Sequence, residues 1–282
     1  MPLIPIESID DPRIEIYRNL RWTNRTRDLG MMVAESLRVA RRLVESDCET
    51  VTLLISDRKV DKFSGWLPPE VPVYVIEHDQ ATQLVGFDFH SGVLACGLRP
   101  PSPSLTELVD PDVAVQTLVA CPRISDAENL GVIIRLANAF GVDGLIVGRG
   151  TADPFSRRTL RVSTGSALEL PIRQSQDLEA DLSSLQAEYE FEIAAAVIDE
   201  RSIPISAVQR PRRLILVLGN ETHGIDDSLE AICDHRWTIP MTDRVESINV
   251  AAAAGIFFHK FHEQSTSLEQ QNNNVLDNSP ST

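Results

Sequence analysis

Three short stretches of this 282-residue chain combine residues that could hold and orient a reacting ligand. "CPRISDAENLGVIIR" (121–135) offers the amide of Asn129, a glycine at 131 and the guanidinium of Arg135. "LILVLGNETHGIDD" (214–227) is an apolar run that stops at Gly219, Asn220 and Glu221, with Gly224 close behind. "IPMTDRVESINVAAAAGIFF" (239–258) places Ser247 and Asn249 ahead of four alanines and a glycine. Glycines let a backbone approach a ligand closely or take positive φ, and Glu221 is a single carboxylate at a strand end. The alanine run lets another backbone or a flat ligand come near. Each stretch alone also reads as ordinary structure. Asn129 is then a capping amide and Arg135 a surface residue, Glu221 a solvated acid in a turn, and the alanines plain helix propensity.

Competing motifs are poor. "GRGTAD" (148–153) begins like a dinucleotide-binding G-x-G-x-x-G but ends in Asp153, and no G-x-x-x-x-G-K-[ST] is present. No nucleophile elbow occurs. His259 and His262, three apart on a predicted helix, could meet one metal ion but read better as polar surface.

The elements that must position these residues follow from the apolar pattern. After residue 113, "VQTLVAC", "GLIVG", "FEIAAAVID", "RRLILVLG" and "HRWTIP" read as strands. Between and after them, "AENLGVIIRLANAFG", "DLEADLSSLQAEY", "DDSLEAICD" and "SINVAAAAGIFFHKFH" read as helices. Such alternation predicts an α/β fold with a mostly parallel sheet covered on both faces. In such sheets ligands bind beyond the carboxyl ends of the strands, where all three stretches fall. Ser125 and Glu128 have the spacing of a capping box, and Ser247 is placed to cap the closing helix, with Asn249 in its first turn.

Residues 1–100 read as a separate small α/β domain, with the helix "MMVAESLRVARRLVES" and strands "VTLLIS", "VPVYVIE" and "GVLACGL". The proline-rich "RPPSPSLTELVDPD" places a linker at 101–113, the second domain spans 114–262, and the polar 263–282 forms a disordered tail. Four cysteines without a C-x-x-C pair argue against structural zinc or a disulfide framework. No apolar run reaches the roughly 20 residues needed to span a bilayer. The N-terminus lacks a signal peptide's order, so a cytoplasmic, membrane-free protein is expected. The net charge of −15 argues against a general nucleic-acid binder. Yet residues 13–42 hold eight arginines against three acids, which makes either a phosphate-binding face or a salt-bridged helix surface.

Taken together the three stretches resemble the three motifs of the SpoU (TrmH-like) RNA ribose methyltransferases, of the knotted SPOUT class. "NLGVIIRLANAFGVDGLIV" resembles the first motif, "LVLGNETHGIDDSLEAICDHRWTIPM" the second and "ESINVAAAAGIFF" the third. "RVSTGSALELPI" stands in the expected place between the first two. The resemblance covers residues 115–262, and residues 1–100 are more loosely similar to the small RNA-binding domain many members carry. Ile248 and Ala251 depart from the family's commoner Leu and Ser.

That resemblance implies a trefoil knot holding S-adenosylmethionine against Leu218, Gly219, Asn220, Ile239, Met241, Ile248 and Asn249. It implies methyl transfer to a ribose 2′-hydroxyl of structured RNA, ribosomal rather than transfer RNA, by Asn129, Arg135, Glu221, Ser247 and Asn249. The arginine is cast as base or as electrostatic clamp; a guanidinium is seldom neutral, which favours the clamp. Arg21, Arg25, Arg27 and Arg38 would grip RNA, no metal is called for, and a homodimer would form through the knotted domain, with Phe257, Phe258 and Phe261 as candidates for its surface. Two other classes stand beside this one. A non-catalytic RNA-binding or assembly factor of the same fold would lack Arg135 or Asn249, and neither is lost. An oxidoreductase built on "GRGTAD" would bind a dinucleotide instead.

Overall fold

The protein is described here by a computed structural model over residues 3–21, 25–63, 65–199, 201–220 and 223–277, the stretch 269–277 as backbone only. It divides into two compact units. One comprises Met1–Pro101 with Asp153–Glu169, the other Ser102–Ala152 with Leu170–Thr282.

The first unit holds strands β1 (Ile4–Pro5), β2 (Met31–Glu35), β3 (Thr50–Ser56), β4 (Val73–Ile76) and β5 (Val93–Leu98) in the order β1-β4-β3-β5-β2. Its first four α-helices are α1 (Arg25–Asp28), α2 (Leu37–Glu45), α3 (Val60–Phe63) and α4 (His78–Val85). β5 runs antiparallel to β2 and β3, and the other pairs are parallel. Tyr17, fully buried, donates its hydroxyl to the Thr52 carbonyl at 2.9 Å, so the central strand β3 and the segment before β2 share one core.

The second unit starts with α5 (Leu105–Leu108), which lies inside the segment expected to be a bare linker. The signal was present as the S-x-x-E of Ser104 and Glu107, whose side chains cap reciprocally. Leu108 and Val109 enter the core, and the buried Gln116 Nε2 donates to the Leu108 carbonyl at 2.8 Å. Then come β6 (Gln116–Cys121), α6 (Ala127–Ala139) and β7 (Gly144–Val147); α7 (Arg157–Val162) belongs to the first unit, where it packs on β2, and the second unit resumes with β8 (Ile172–Gln174). After these follow α8 (Leu178–Tyr189), β9 (Glu192–Ala196), β10 (Ile203–Pro204), β11 (Arg213–Leu218), α9 (Asp227–Ala231), β12 (His235–Thr238) and α10 (Val250–Asp277). The seven strands β10-β12-β9-β11-β6-β7-β8 are parallel throughout.

Parallel strands buried on both faces need near-continuous apolar sequence, and β11 shows why. Ile215 and Val217 join the core beneath α8 and α9, while the alternation of the pleat turns Leu214, Leu216 and Leu218 to the opposite face, also buried. On that side α10 packs on α6. A side chain at Gly255 would meet Leu136 Cδ1 at 3.3 Å, so the missing Cβ sets the helix approach.

The closing helix differs from its reading in three ways. It begins at Val250, it runs on to Asp277 instead of ending at His262, and Phe257, Phe258 and Phe261 are all core. The extension is anchored: Gln264 Nε2 donates to the Val208 carbonyl at 2.7 Å, and Arg210 N donates back to Gln264 Oε1 at 3.2 Å. Among the described residues no helix is long and apolar enough to cross a membrane.

Candidate functional site

A cavity of about 530 Å³ opens at the carboxyl ends of β9, β11 and β12. Gly219 and Asn220 follow the last residue of β11. Ile239 and Met241 follow β12, and Ser247, Ile248 and Asn249 lead into α10. All seven residues expected around the cofactor line this one space, as does Ser247. The sheet explains the convergence. β9, β11 and β12 are parallel neighbours, so their chain exits lie side by side.

Gly219 has no room for a side chain. A Cβ there would lie 2.7 Å from the Gly224 carbonyl carbon and 2.9 Å from its oxygen. The crowding comes from a tight loop closed by Asn220 N donating to Gly224 O (2.8 Å) and Gly224 N donating to Asn220 O (2.9 Å), with Gly224 at φ +72°. The Asn220 side chain fixes that loop at both ends of its amide. Its Oδ1 accepts from His223 N at 3.1 Å, and its Nδ2 donates to the Arg123 carbonyl at 2.9 Å. The second stretch is thereby tied to the first.

The third stretch is tied to the first as well. Asn249, rather than Ser247, caps α10: its Oδ1 accepts from Ala251 N at 2.9 Å and Ala252 N at 3.2 Å. With the oxygen so used, its Nδ2 donates to Asn129 Oδ1 at 2.8 Å. Asn129 sits in the first turn of α6, whose cap is Asp126 and not Ser125, since Asp126 Oδ1 accepts from Glu128 N at 2.6 Å. Arg135 projects from α6 a turn and a half further on, is exposed, and does not line the cavity. Glu221 lies outside the described residues. The alanine run is used on several faces. Ala251 and Ala254 are buried, and Ala253 lines the cavity.

Val197 and Ile198 at the end of β9, and the Glu230–Arg236 ion pair, also line the cavity but were not singled out from the sequence. The strand-end rule applied to "FEIAAAVID" would have found the first two. "GRGTAD" serves packing instead of a dinucleotide. A Cβ on Gly148 would lie 2.6 Å from the Pro122 carbonyl oxygen, and Asp153 is bound by Arg99. His259 and His262 both pack against the Phe140 ring.

The arginines of residues 13–42 are less available than their number suggests. Arg13 pairs with Asp11, whose carboxyl it holds down at about 2. Arg18 and Arg25 share Glu15, Arg41 pairs with Glu45, and Arg42 donates to the Thr164 carbonyl and pairs with Glu169. Most of these acids stand outside the 13–42 window. Of the four expected RNA contacts, Arg25 is therefore ion-paired, Arg38 is exposed on α2, and Arg21 and Arg27 line a second cavity in the first unit.

Residues 116–259 match the SpoU rRNA Methylase family. The chain is 33% identical over 260 residues to an uncharacterized tRNA/rRNA methyltransferase of Mycobacterium tuberculosis, covering 89% of this chain and 88% of that one. It is 28% identical to a 23S rRNA (guanosine-2′-O-)-methyltransferase of Acinetobacter baylyi, over 77% of this chain and 91% of the relative. In fold it is similar to an AdoMet-bound rRNA methyltransferase from Sinorhizobium meliloti, with a TM-score of 0.80 at 24% identity, covering 93% of this chain and 98% of that one.

Proposed function

The chain belongs to the SpoU rRNA methylase family, and from that premise we propose that it transfers a methyl group from S-adenosylmethionine to a ribose 2′-hydroxyl of structured ribosomal RNA. One juxtaposition carries the reading: Asn249, which lines the strand-end cavity, bonds Asn129 from a stretch 120 residues earlier. The cavity suits the cofactor. Its volume lies within the few hundred to about 1,000 Å³ of small-molecule sites. Leu218, Ile239, Met241 and Phe257 make apolar walls beside strand-end backbone, a setting for a nucleoside.

S-adenosylmethionine supplies, when bound, a methyl group on a positively charged sulfonium. Gly219 would let the backbone of β11 approach it, and the chain at Ile239 and Met241 would help to hold it. Asn129, Ser247 and Asn249 hold the acceptor ribose. Arg135 binds the neighbouring phosphate through its guanidinium and stabilises the oxygen as its charge develops, the hydroxyl proton leaving to water. Glu221 orients that guanidinium. The stretches flanking the cavity form the trefoil crossing. Two copies pair through α6 and α10, where Ala139, Ala252 and Ile256 are exposed in place of the buried phenylalanines. The protein works in the cytoplasm, with its RNA.

Labelled methyl should pass from S-adenosylmethionine to unmodified ribosomal RNA and survive alkaline hydrolysis in an uncut dinucleotide, because a 2′-O-methyl cannot attack the adjacent phosphate. Label in protected dinucleotides from transfer RNA alone would move the substrate, and label in ordinary mononucleotides would overturn ribose methylation. A second expectation concerns the loop. Gly219→Ala must displace Gly224, so S-adenosylmethionine binding measured by calorimetry should weaken at least about tenfold, the equivalent of roughly 1.4 kcal/mol. Unchanged affinity would mean that the loop is no part of the cofactor site.

A further inference from the structure

The second cavity, about 480 Å³, lies wholly within the first unit and is lined by six arginines: Arg21, Arg27, Arg99, Arg157, Arg158 and Arg161. They come from three places in the chain: the stretch around α1, the residue after β5, and α7 in the Asp153–Glu169 segment. That last segment lies within the residues matched to the methylase family, not within residues 1–100.

Two acids stand among these arginines. Asp153 is engaged by Arg99, whose Nη1 and Nη2 donate to its two oxygens at 2.8 and 2.7 Å, both side chains being largely buried. Arg99 Nε also donates to the Met31 carbonyl at 2.8 Å, so this guanidinium is a structural post. Glu35, at the end of β2, bonds Arg157 and lies 3.8 Å from Arg161. Arg157 is further held over the Phe87 ring at 4.1 Å. Arg99 and Arg157 are thus fixed, Arg161 shares Glu35 with Arg157, and together they hold the wall to which the other arginines belong. Guanidinium forks match phosphate oxygens in pairs, so a cavity lined by six arginines has the chemistry to take phosphates.

The bulk charge sharpens the point. A chain of net charge −15 repels a polyanion over most of its surface, so an RNA needs a concentrated positive site to be held. Arginines converging from three segments span more than one phosphate requires. We propose that this cavity binds consecutive phosphodiesters of the substrate RNA, with the Asp153–Glu169 segment supplying as much of the grip as the N-terminal residues. The proposal rests on the RNA substrate argued above.

The test uses the full chain and the double variant Arg27→Gln/Arg161→Gln, both positions being exposed, with Arg58→Gln as a control elsewhere in the first unit. RNA affinity is measured between about 50 and 200 mM salt, together with methyl transfer and S-adenosylmethionine binding. Expected for the double variant are at least about tenfold weaker RNA binding and a salt slope shallower by about two, one for each phosphate no longer gripped. KM for RNA should rise, with kcat at saturating RNA and cofactor affinity unchanged. Arg27→Lys/Arg161→Lys should recover most of the loss, and Arg58→Gln should match wild type. Wild-type affinity and slope in the double variant, with methylation intact, would overturn the cavity while leaving the function standing. Inorganic phosphate raising the wild-type melting temperature but not the double variant's, with RNA affinity equal in both, would make it a small-anion site and also overturn the proposal. If wild type neither binds S-adenosylmethionine nor methylates any RNA, the function falls, and the comparison of RNA binding and slope still decides the cavity.

Discussion

Arg135→Ala is expected to lower kcat for RNA methylation by about 10²–10³-fold, the loss typical of removing one group aimed at developing negative charge, or about 2.7–4 kcal/mol. S-adenosylmethionine affinity should not change, because Arg135 projects from α6 without lining the cavity. The fold should tolerate the change as well, since the side chain is exposed and its removal opens no hole in the core. Arg135→Lys separates the roles. A lysine retains the charge but loses the planar fork, so kcat should recover partly while KM for RNA stays raised. A pH–rate profile of this variant that keeps its wild-type shape would exclude the arginine as the base. Wild-type kcat in Arg135→Ala would remove it from the reaction altogether.

Asn249 carries the second large effect, because one amide does two jobs. Asn249→Ala deletes the oxygen that caps Ala251 N and Ala252 N, costing about 1 kcal/mol of stability. It also deletes the Nδ2 that Asn129 accepts from at 2.8 Å. With the two stretches no longer joined, a misplacement of about 1 Å at the ribose is enough to lower kcat/KM by about 10²-fold. Cofactor binding should weaken too, since Asn249 lines the cavity. Asn249→Asp splits these consequences. It keeps a capping oxygen and places a negative charge at a helix N-terminus, so thermal stability should return to at least wild type. The donor toward Asn129 is gone, however, and activity should stay low. An aspartate variant with wild-type kcat/KM would show that the cap alone matters at this position.

The helices and strands that bear these residues were readable because their causes are local. The apolar run ending at Leu218 could only be a strand buried on both faces, and Gly219 and Gly224 marked the turn that follows it. Local signals were also passed over. The Ser104–Glu107 box lay within a proline-rich stretch and was outweighed by it, although it starts α5. The spacing of Ala254, Phe257, Phe258 and Phe261 already describes one buried helix face, with Ile256 turned outward.

The sequence by itself determined the parallel α/β sheet, the three strand-end stretches and the residue types at the site, since each depends on a period, a cap or a glycine acting over a few positions. Only the tertiary structure decided that Asn249, and not Ser247, caps α10 and bonds Asn129 across 120 residues. It alone decided that Asp10, Asp11 and Glu45, outside the counted window, neutralise Arg18, Arg13 and Arg41. It also decided that Asp153–Glu169 completes an arginine-lined cavity in the first unit. The division has a physical reason. Propensity and capping act between neighbours along the chain, whereas hydrogen bonds, ion pairs and cavities join whichever side chains the packed sheets and helices bring within a few ångströms, however far apart they lie in sequence.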